Sequence, residues 1–195
     1  ALMTRFPGTV GLVLVITAIM LFIAFRSLLV PIKAVLLNLL SVGGAFGLTV
    51  LVFQHGYGGG LFGLTGPTQA IWAVVPVLVF AIVFGLSMDY EVFLLTRIKE
   101  VFDKTGRNDH ATMEGLSATA STITSAALIM ILVFGAFAFA RVLAVQLIGF
   151  GLAAAVLLDA TAIRMVLVPA IMHIAGRWNW WPGVAAPQRE RESGA

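Results

Sequence analysis

Phe84-Gly85-Leu86-Ser87-Met88-Asp89-Tyr90-Glu91-Val92-Phe93-Leu94-Leu95 sets an aspartate, a tyrosine and a glutamate inside a run, Ile71 to Arg97, that is otherwise apolar enough to cross a bilayer. An ionised carboxylate near mid-membrane costs about 2.5–3.5 kcal/mol on insertion scales, so such a group is buried against partners, protonated or functional. Asp89 has no basic residue within reach on its own helix, which marks it for function. Glu91 lies closer to the end of the run at Arg97, and a snorkelling or loop-paired role is expected for it.

The surrounding composition places that stretch in a membrane. Of 195 residues, 60% are hydrophobic and 11% charged, and the mean hydropathy is +1.03. An ordinary soluble domain carries about 25% charged residues. The long apolar runs, broken by Gly and Pro rather than alternating every other residue, specify helices and not barrel strands. The expected fold is an all-α integral membrane protein with several spans. Without cysteine there are no disulfides or thiolate sites, and no basic face is interleaved with aromatics, which argues against nucleic acid. No metal site, cofactor or enzymatic activity is expected. The N-terminal residues lack a signal-peptide h-region and cleavage site, and the chain reads as a piece of something longer.

Five helices are predicted, over about 8–25, 31–53, 69–96, 116–139 and 144–174, forming one bundle over 1–182 with a disordered cytoplasmic tail over 183–195. Pro31 suits the first turn of the second helix, and Gly43, Gly44, Ala45 and Gly47 give that helix a small-residue face for packing. His55 to Thr68 reads as a flexible glycine-rich connector, with Leu61-Phe62 dipping into the interface; it has no Gly-Lys-Ser/Thr ending for phosphate. Pro76 predicts a kink in the third helix. Arg97 to Gly115 reads as a solvated loop with a short interfacial helix, and Trp178, Trp180 and Trp181 as an interfacial anchor.

Five spans put the termini on opposite sides. Arg26, Lys33, Arg97, Lys99, Lys104, Arg107, Arg177, Arg189 and Arg191 fall on one side and only Arg5 and Arg141 on the other. By the positive-inside rule the N-terminus is expected outside and the C-terminus in the cytoplasm. Helices three and five then run parallel, and Asp89 and Asp159 lie about 8–12 Å from the inner boundary if Arg97 and Arg164 mark it. Should Arg164 lie within the bilayer, Asp159 is deeper and needs Arg164 or a hydroxyl as its partner. Ser117, Ser121, Thr124 and Ser125 form a polar stripe in the same half of the membrane. Acids and hydroxyls at one depth are the parts of a proton relay. Its expected members are Asp89, Tyr90, Ser121, Thr124, Ser125 and Asp159, with Gly85, Leu86 and Phe93 lining a pore or pocket. Intramembrane hydroxyls also serve packing, and Asp159 could pair structurally with Arg164.

The Phe84–Leu94 stretch resembles the Asp-Tyr helix of the MMPL transporters of the resistance–nodulation–division superfamily. Thr122–Met130 and Gly151–Thr161, followed by Arg164 and Pro169, resemble that family's last two helices. The resemblance implies proton-driven export of lipids or other hydrophobic molecules across the bacterial inner membrane, with the proton gradient in place of a cofactor. It also implies that the chain is a partial repeat, the last five of twelve helices. The N-terminal repeat and two extracytoplasmic domains would be its partners, and an Asp-Tyr pair in that other repeat would bond crosswise to Asp89 and Tyr90. The sequence allows an oligomer. Two other classes compete. An intramembrane aspartyl protease would use Asp89 and Asp159 together, but the order is Asp-Tyr and Asp159 lacks a Gly-x-Gly-Asp context. A lipid-sensing or scaffold domain would bind lipid without transport.

Overall fold

The structure, a computed structural model, describes residues 2–63, 66, 68 and 74–182, without the side chains of 2–6 and 177. Its elements are α1 (Leu2–Phe25), α2 (Leu29–Thr49) continued by a π-turn (Val50–Gln54), a short 3-10 turn (Gly59–Phe62), α3 (Val74–Thr105), α4 (Asn108–Phe137), α5 (Leu143–Leu158), a π-helical segment (Asp159–Leu167) and α6 (Val168–Ala175). Among the described residues, five helical stretches are long and apolar enough to cross a membrane: Pro7–Phe25, Leu29–Gln54, Val74–Thr105, Asn108–Phe137 and Leu143–Ala175. The chain is therefore a multi-pass, all-helical membrane protein. The tail over 183–195 and the start predicted for the third helix, 69–73, lie outside the described residues.

Helix α5 is the central element, packed against α2, α3 and α4, whereas α1 leans on α2 and only lightly on α3. Glycines set the closest crossings. A Cβ at Gly149 would lie 2.5 Å from Phe137 Cβ and 2.7 Å from the Phe134 carbonyl, so α5 meets α4 with backbone nearly against backbone. Gly115 plays the same part for α3 and α4, with Ile98 Cγ1 at 2.6 Å. The small-residue face of α2 is used only in part. Ala45 is buried and a Cβ at Gly44 would meet Leu158 Cδ1 at 3.0 Å, while Gly43 and Gly47 face open space.

Several local expectations are corrected. The stretch from Arg97 to Gly115 is the end of α3 and the start of α4 rather than a loop, with only Gly106 and Arg107 between them. Its charges fall at helical spacing, in the pairs Arg97–Glu100 (2.7 Å), Lys99–Asp103 (2.7 Å) and Lys104–Glu100 (3.0 Å). Gly106, at φ +66°, ends α3 in the left-handed conformation. The kink expected at Pro76 turns on residues 69–73 before it, which lie outside the described residues.

The glycine-rich connector is folded back onto the bundle. Gly58 and Gly63, both at positive φ, bracket the 3-10 turn. Phe62 inserts among Phe53, Phe139 and Phe150 with ring centroids 5.4–6.0 Å away, and Gln146 Nε2 donates to its carbonyl at 2.7 Å. Leu61 points outward.

At the opposite end, carrying Arg26, Lys33, Lys99 and Arg107 and here termed the basic end, the tryptophans divide. Trp178 and Trp181 are exposed, while Trp180 is 1% exposed and stacks on Phe102 at 5.1 Å. Beside it Asn179, fully buried, donates to Asn108 Oδ1 (3.1 Å), the Met172 carbonyl (2.8 Å) and the Gly176 carbonyl (2.7 Å), and accepts from Lys33. The turn after α6 thus ties α2, α3 and α4 together.

Candidate functional site

Successive residues of an α-helix point about 100° apart, so the Asp89-Tyr90-Glu91 triplet sends its side chains in three directions. Asp89 lies on the exposed face of α3 with Gly85, Phe93 and Thr96. It opens into a groove of about 720 Å³ between α1 and α3, walled by Thr17, Met20, Phe80, Phe84 and Gly85 among others. Among the described residues, no basic side chain forms an ion pair with Asp89. A Cβ at Gly85 would meet nothing within 4 Å, so the groove is open one turn above the carboxylate. Phe93 is on the same face but does not line the groove.

Tyr90, half-buried, turns towards α4 and α5. Its ring faces the Arg164 guanidinium at 5.6 Å, and its hydroxyl lies 3.9 Å from Met130 Sδ. Arg164 in turn donates to Asp159 Oδ2 at 3.0 Å, both side chains being buried. In an α-helix, residues five apart point about 140° away from each other. The π-helical turn that begins at Asp159 closes over five residues, which brings Arg164 onto the same side as Asp159. Ser87, from α3, faces the same carboxylate at the edge of a small void. Asp159 is thus deep and paired with an arginine, one of the two kinds of partner that such a depth calls for. A small void of about 10 Å³ is bounded by Leu86, Ser87, Tyr90, Asp159 and Arg164.

Glu91 takes the third direction, and here the snorkelling expectation is corrected: it is 9% exposed, beside a small void bounded by α2, α3 and α6. The charges that act on it are Asp159, Arg164 and Lys33. Ser87, Glu91, Leu94 and Ile98 share one helix face, and all four together with Val83 and Phe84 lie on the buried side of α3. A helical projection carries that signal; proximity of Glu91 to Arg97 along the sequence masks it.

The hydroxyl stripe of α4 faces away from the bundle interior. Ser117, Ser121, Thr124 and Ser125 all lie on the exposed side of α4. Ser117 and Thr124 line a cleft of about 390 Å³ that Arg164 also borders; Ser121 and Ser125 lie outside it. Thr119, off the stripe, is the buried hydroxyl and bonds the Gly115 carbonyl at 2.8 Å. Asp89 and the stripe therefore occupy outer surfaces of the bundle, while Asp159, Arg164, Ser87 and Glu91 occupy its interior. Among the described residues, no group of three or more His, Asp or Glu is arranged to hold a metal ion.

Comparison with known proteins gives this arrangement a context. The model of the MMPL family matches residues 8–194. The heme uptake protein MmpL11 of Mycobacterium tuberculosis is 51% identical over 91% of this chain and 18% of its own length. The mycolic acid-containing lipids exporter MmpL11 of Mycolicibacterium smegmatis is 48% identical over 91% of this chain and 19% of its own length. The trehalose monomycolate exporter MmpL3 of the same organism is 39% identical over 93% of this chain and 18% of its own length. The chain spans under a fifth of the length of these relatives.

Proposed function

The chain belongs to the MMPL family, and from that premise we propose that it supplies energy-coupling helices to a transporter that moves lipids or other hydrophobic molecules at the expense of a proton gradient. The observation that carries this reading is Asp89, a carboxylate in the span Val74–Thr105 that opens into an apolar groove with no ion-pair partner among the described residues. A carboxylate so placed is neutral when protonated and compatible with an apolar surface; ionised, it demands a polar partner. Binding and releasing one proton therefore switches what α3 can pack against. That is the differential interaction a proton-driven conformational cycle requires.

In this reading Asp89 is the group that loads and unloads the proton. Tyr90 joins it to the Arg164–Asp159 pair, and Ser121, Thr124 and Ser125 carry protons along the exposed side of α4. The basic end faces the cytoplasm, by the excess of Lys and Arg there. The exposed faces of α3 and α4 meet the remainder of a longer protein, an N-terminal repeat that provides the partner for Asp89 and extracytoplasmic domains that receive the cargo. The groove walls suit a long-chain lipid, in keeping with the names of two of the relatives.

The test compares wild type with Asp89→Asn in the complete protein, reconstituted in vesicles doped with trehalose monomycolate under an imposed proton gradient. Asn keeps shape and hydrogen bonding but cannot exchange a proton. Lipid transfer is expected to fall by about 100-fold, the usual weight of a positioned acid or base, with lipid binding intact. Unchanged transfer in Asp89→Asn would favour a lipid-sensing or scaffold role instead.

A further inference from the structure

Glu91, buried, and Lys33, half-buried, are the charges that the reading above leaves without a task. Lys33 stands on α2 near the basic end, and Glu91 on the inward face of α3. Between them lies a void of about 20 Å³, bounded also by Val30, Leu37, Leu95, Val168 and Met172. Roughly 10–15 Å³ of such space accommodates one water, provided that two or more polar groups hold it. The Glu91 carboxylate and the Lys33 ammonium are two such groups in an otherwise apolar wall.

The void has polar continuations on both sides. Inward, Ser87 is one helical turn from Glu91 and borders, with Asp159, the smaller void that reaches Tyr90. Outward, Lys33 donates to Asn179 Oδ1 and approaches Met172 Sδ at 3.3 Å. Asn179 donates to Asn108, the first residue of α4, at 3.1 Å. A further buried acceptor, Asn38 Oδ1 on α2, has no hydrogen-bond partner among the described residues, while its Nδ2 reaches the Phe84 carbonyl at 3.4 Å. A polar route thus runs through the interior of the bundle from Tyr90 to the basic end, separate from the outer surfaces that carry Asp89 and the α4 hydroxyls.

We propose that Glu91 and Lys33, facing each other across a void the size of one water, form the proton-exchange site through which the interior of the bundle communicates with its basic end. In each passage the Glu91 carboxylate accepts one proton from the Ser87–Asp159 side. It then gives that proton to water beside Lys33, which passes it to the solvent at the basic end, so the site returns to its starting state. The two acids Glu91 and Asp159 and the two bases Lys33 and Arg164 balance when all are ionised, and one added proton leaves a single positive charge for the passage. Among the described residues, the charges acting on Glu91 are Lys33 from α2 and Asp159 and Arg164 from the π-helical segment, while α6 borders the void with Val168, Ile171 and Met172. This inference rests on the proton-driven reading.

The experiment follows proton entry with an internal pH-sensitive dye, using the complete protein in vesicles doped with trehalose monomycolate. Wild type is compared with Glu91→Gln, Glu91→Asp, Lys33→Met and Asp89→Asn over a range of pH. Glu91→Gln is expected to slow proton movement by at least about tenfold, Glu91→Asp to recover part of it, and Lys33→Met to shift the pH profile; a purely packing role would move none of these together. Proton movement in Glu91→Gln within about twofold of wild type, with Asp89→Asn inactive, overturns the exchange site and leaves the transporter reading standing. Wild-type rates in Asp89→Asn overturn the reading and this inference with it. If Glu91→Gln does not fold, an unchanged rate and pH profile in Lys33→Met overturns the proposal.

Discussion

Arg164 is the residue on which most of the interior converges, since it touches Asp159, faces the Tyr90 ring and borders the cleft under α4. Removing it alone leaves the Asp159 carboxylate buried without its cation. Arg164→Met is therefore expected to cost about 3–5 kcal/mol of stability, and the pair of changes Arg164→Met with Asp159→Leu to recover most of that loss. Thermal unfolding in detergent, read as a double-mutant cycle, measures both. Equal losses in the single and double variants would contradict a structural salt link. Asp159 with Arg164 as its partner was legible from sequence, because a carboxylate that deep in a span has few alternatives. Burial of Glu91 was not, because distance along the chain to Arg97 is a poor guide when helical rotation decides which way the side chain points.

Helix crossings carry the next level of organisation. Gly149 admits the α4 backbone and Gly115 admits Ile98, so a methyl group at either must push a neighbouring helix aside. Gly149→Ala is expected to destabilise the bundle by about 1–3 kcal/mol through overpacking. Gly11→Ala on α1, where a Cβ meets nothing within 4 Å, is expected to be neutral or to gain up to about 1 kcal/mol from helix propensity. Melting temperatures of the two variants in one detergent separate these cases. At the basic end, Asn179→Ala removes the oxygen that Lys33 donates to and three further donor contacts. A loss of about 1–3 kcal/mol is expected, and the same melting assay reads it. That the Trp-rich segment would be partly buried, with Trp180 against Phe102 and Trp181 outward, follows from the turn after α6 and not from its composition.

Across the whole molecule the open question of sidedness has a direct test, because the sequence has no cysteine and single introduced thiols report without background. Tyr57→Cys in the connector and Lys104→Cys near the end of α3 are both exposed positions. In sealed cells a membrane-impermeant maleimide is expected to label the first and not the second until the membrane is opened. Labelling in the reverse order would invert the proposed orientation. The number of spans, the helical class and the family resemblance came from the sequence alone. Long apolar runs leave the chain few alternatives in a bilayer, where every backbone group must bond within its own helix. What only the tertiary structure decided is the partition of the polar residues. Asp89 faces a groove, Glu91 and Asp159 lie inside with Arg164 and near half-buried Lys33, and the Ser117–Ser125 stripe of α4 points outward. That partition depends on the rotation of each helix about its axis and on the π-turn at Asp159, and both are set by packing against neighbours distant in the chain.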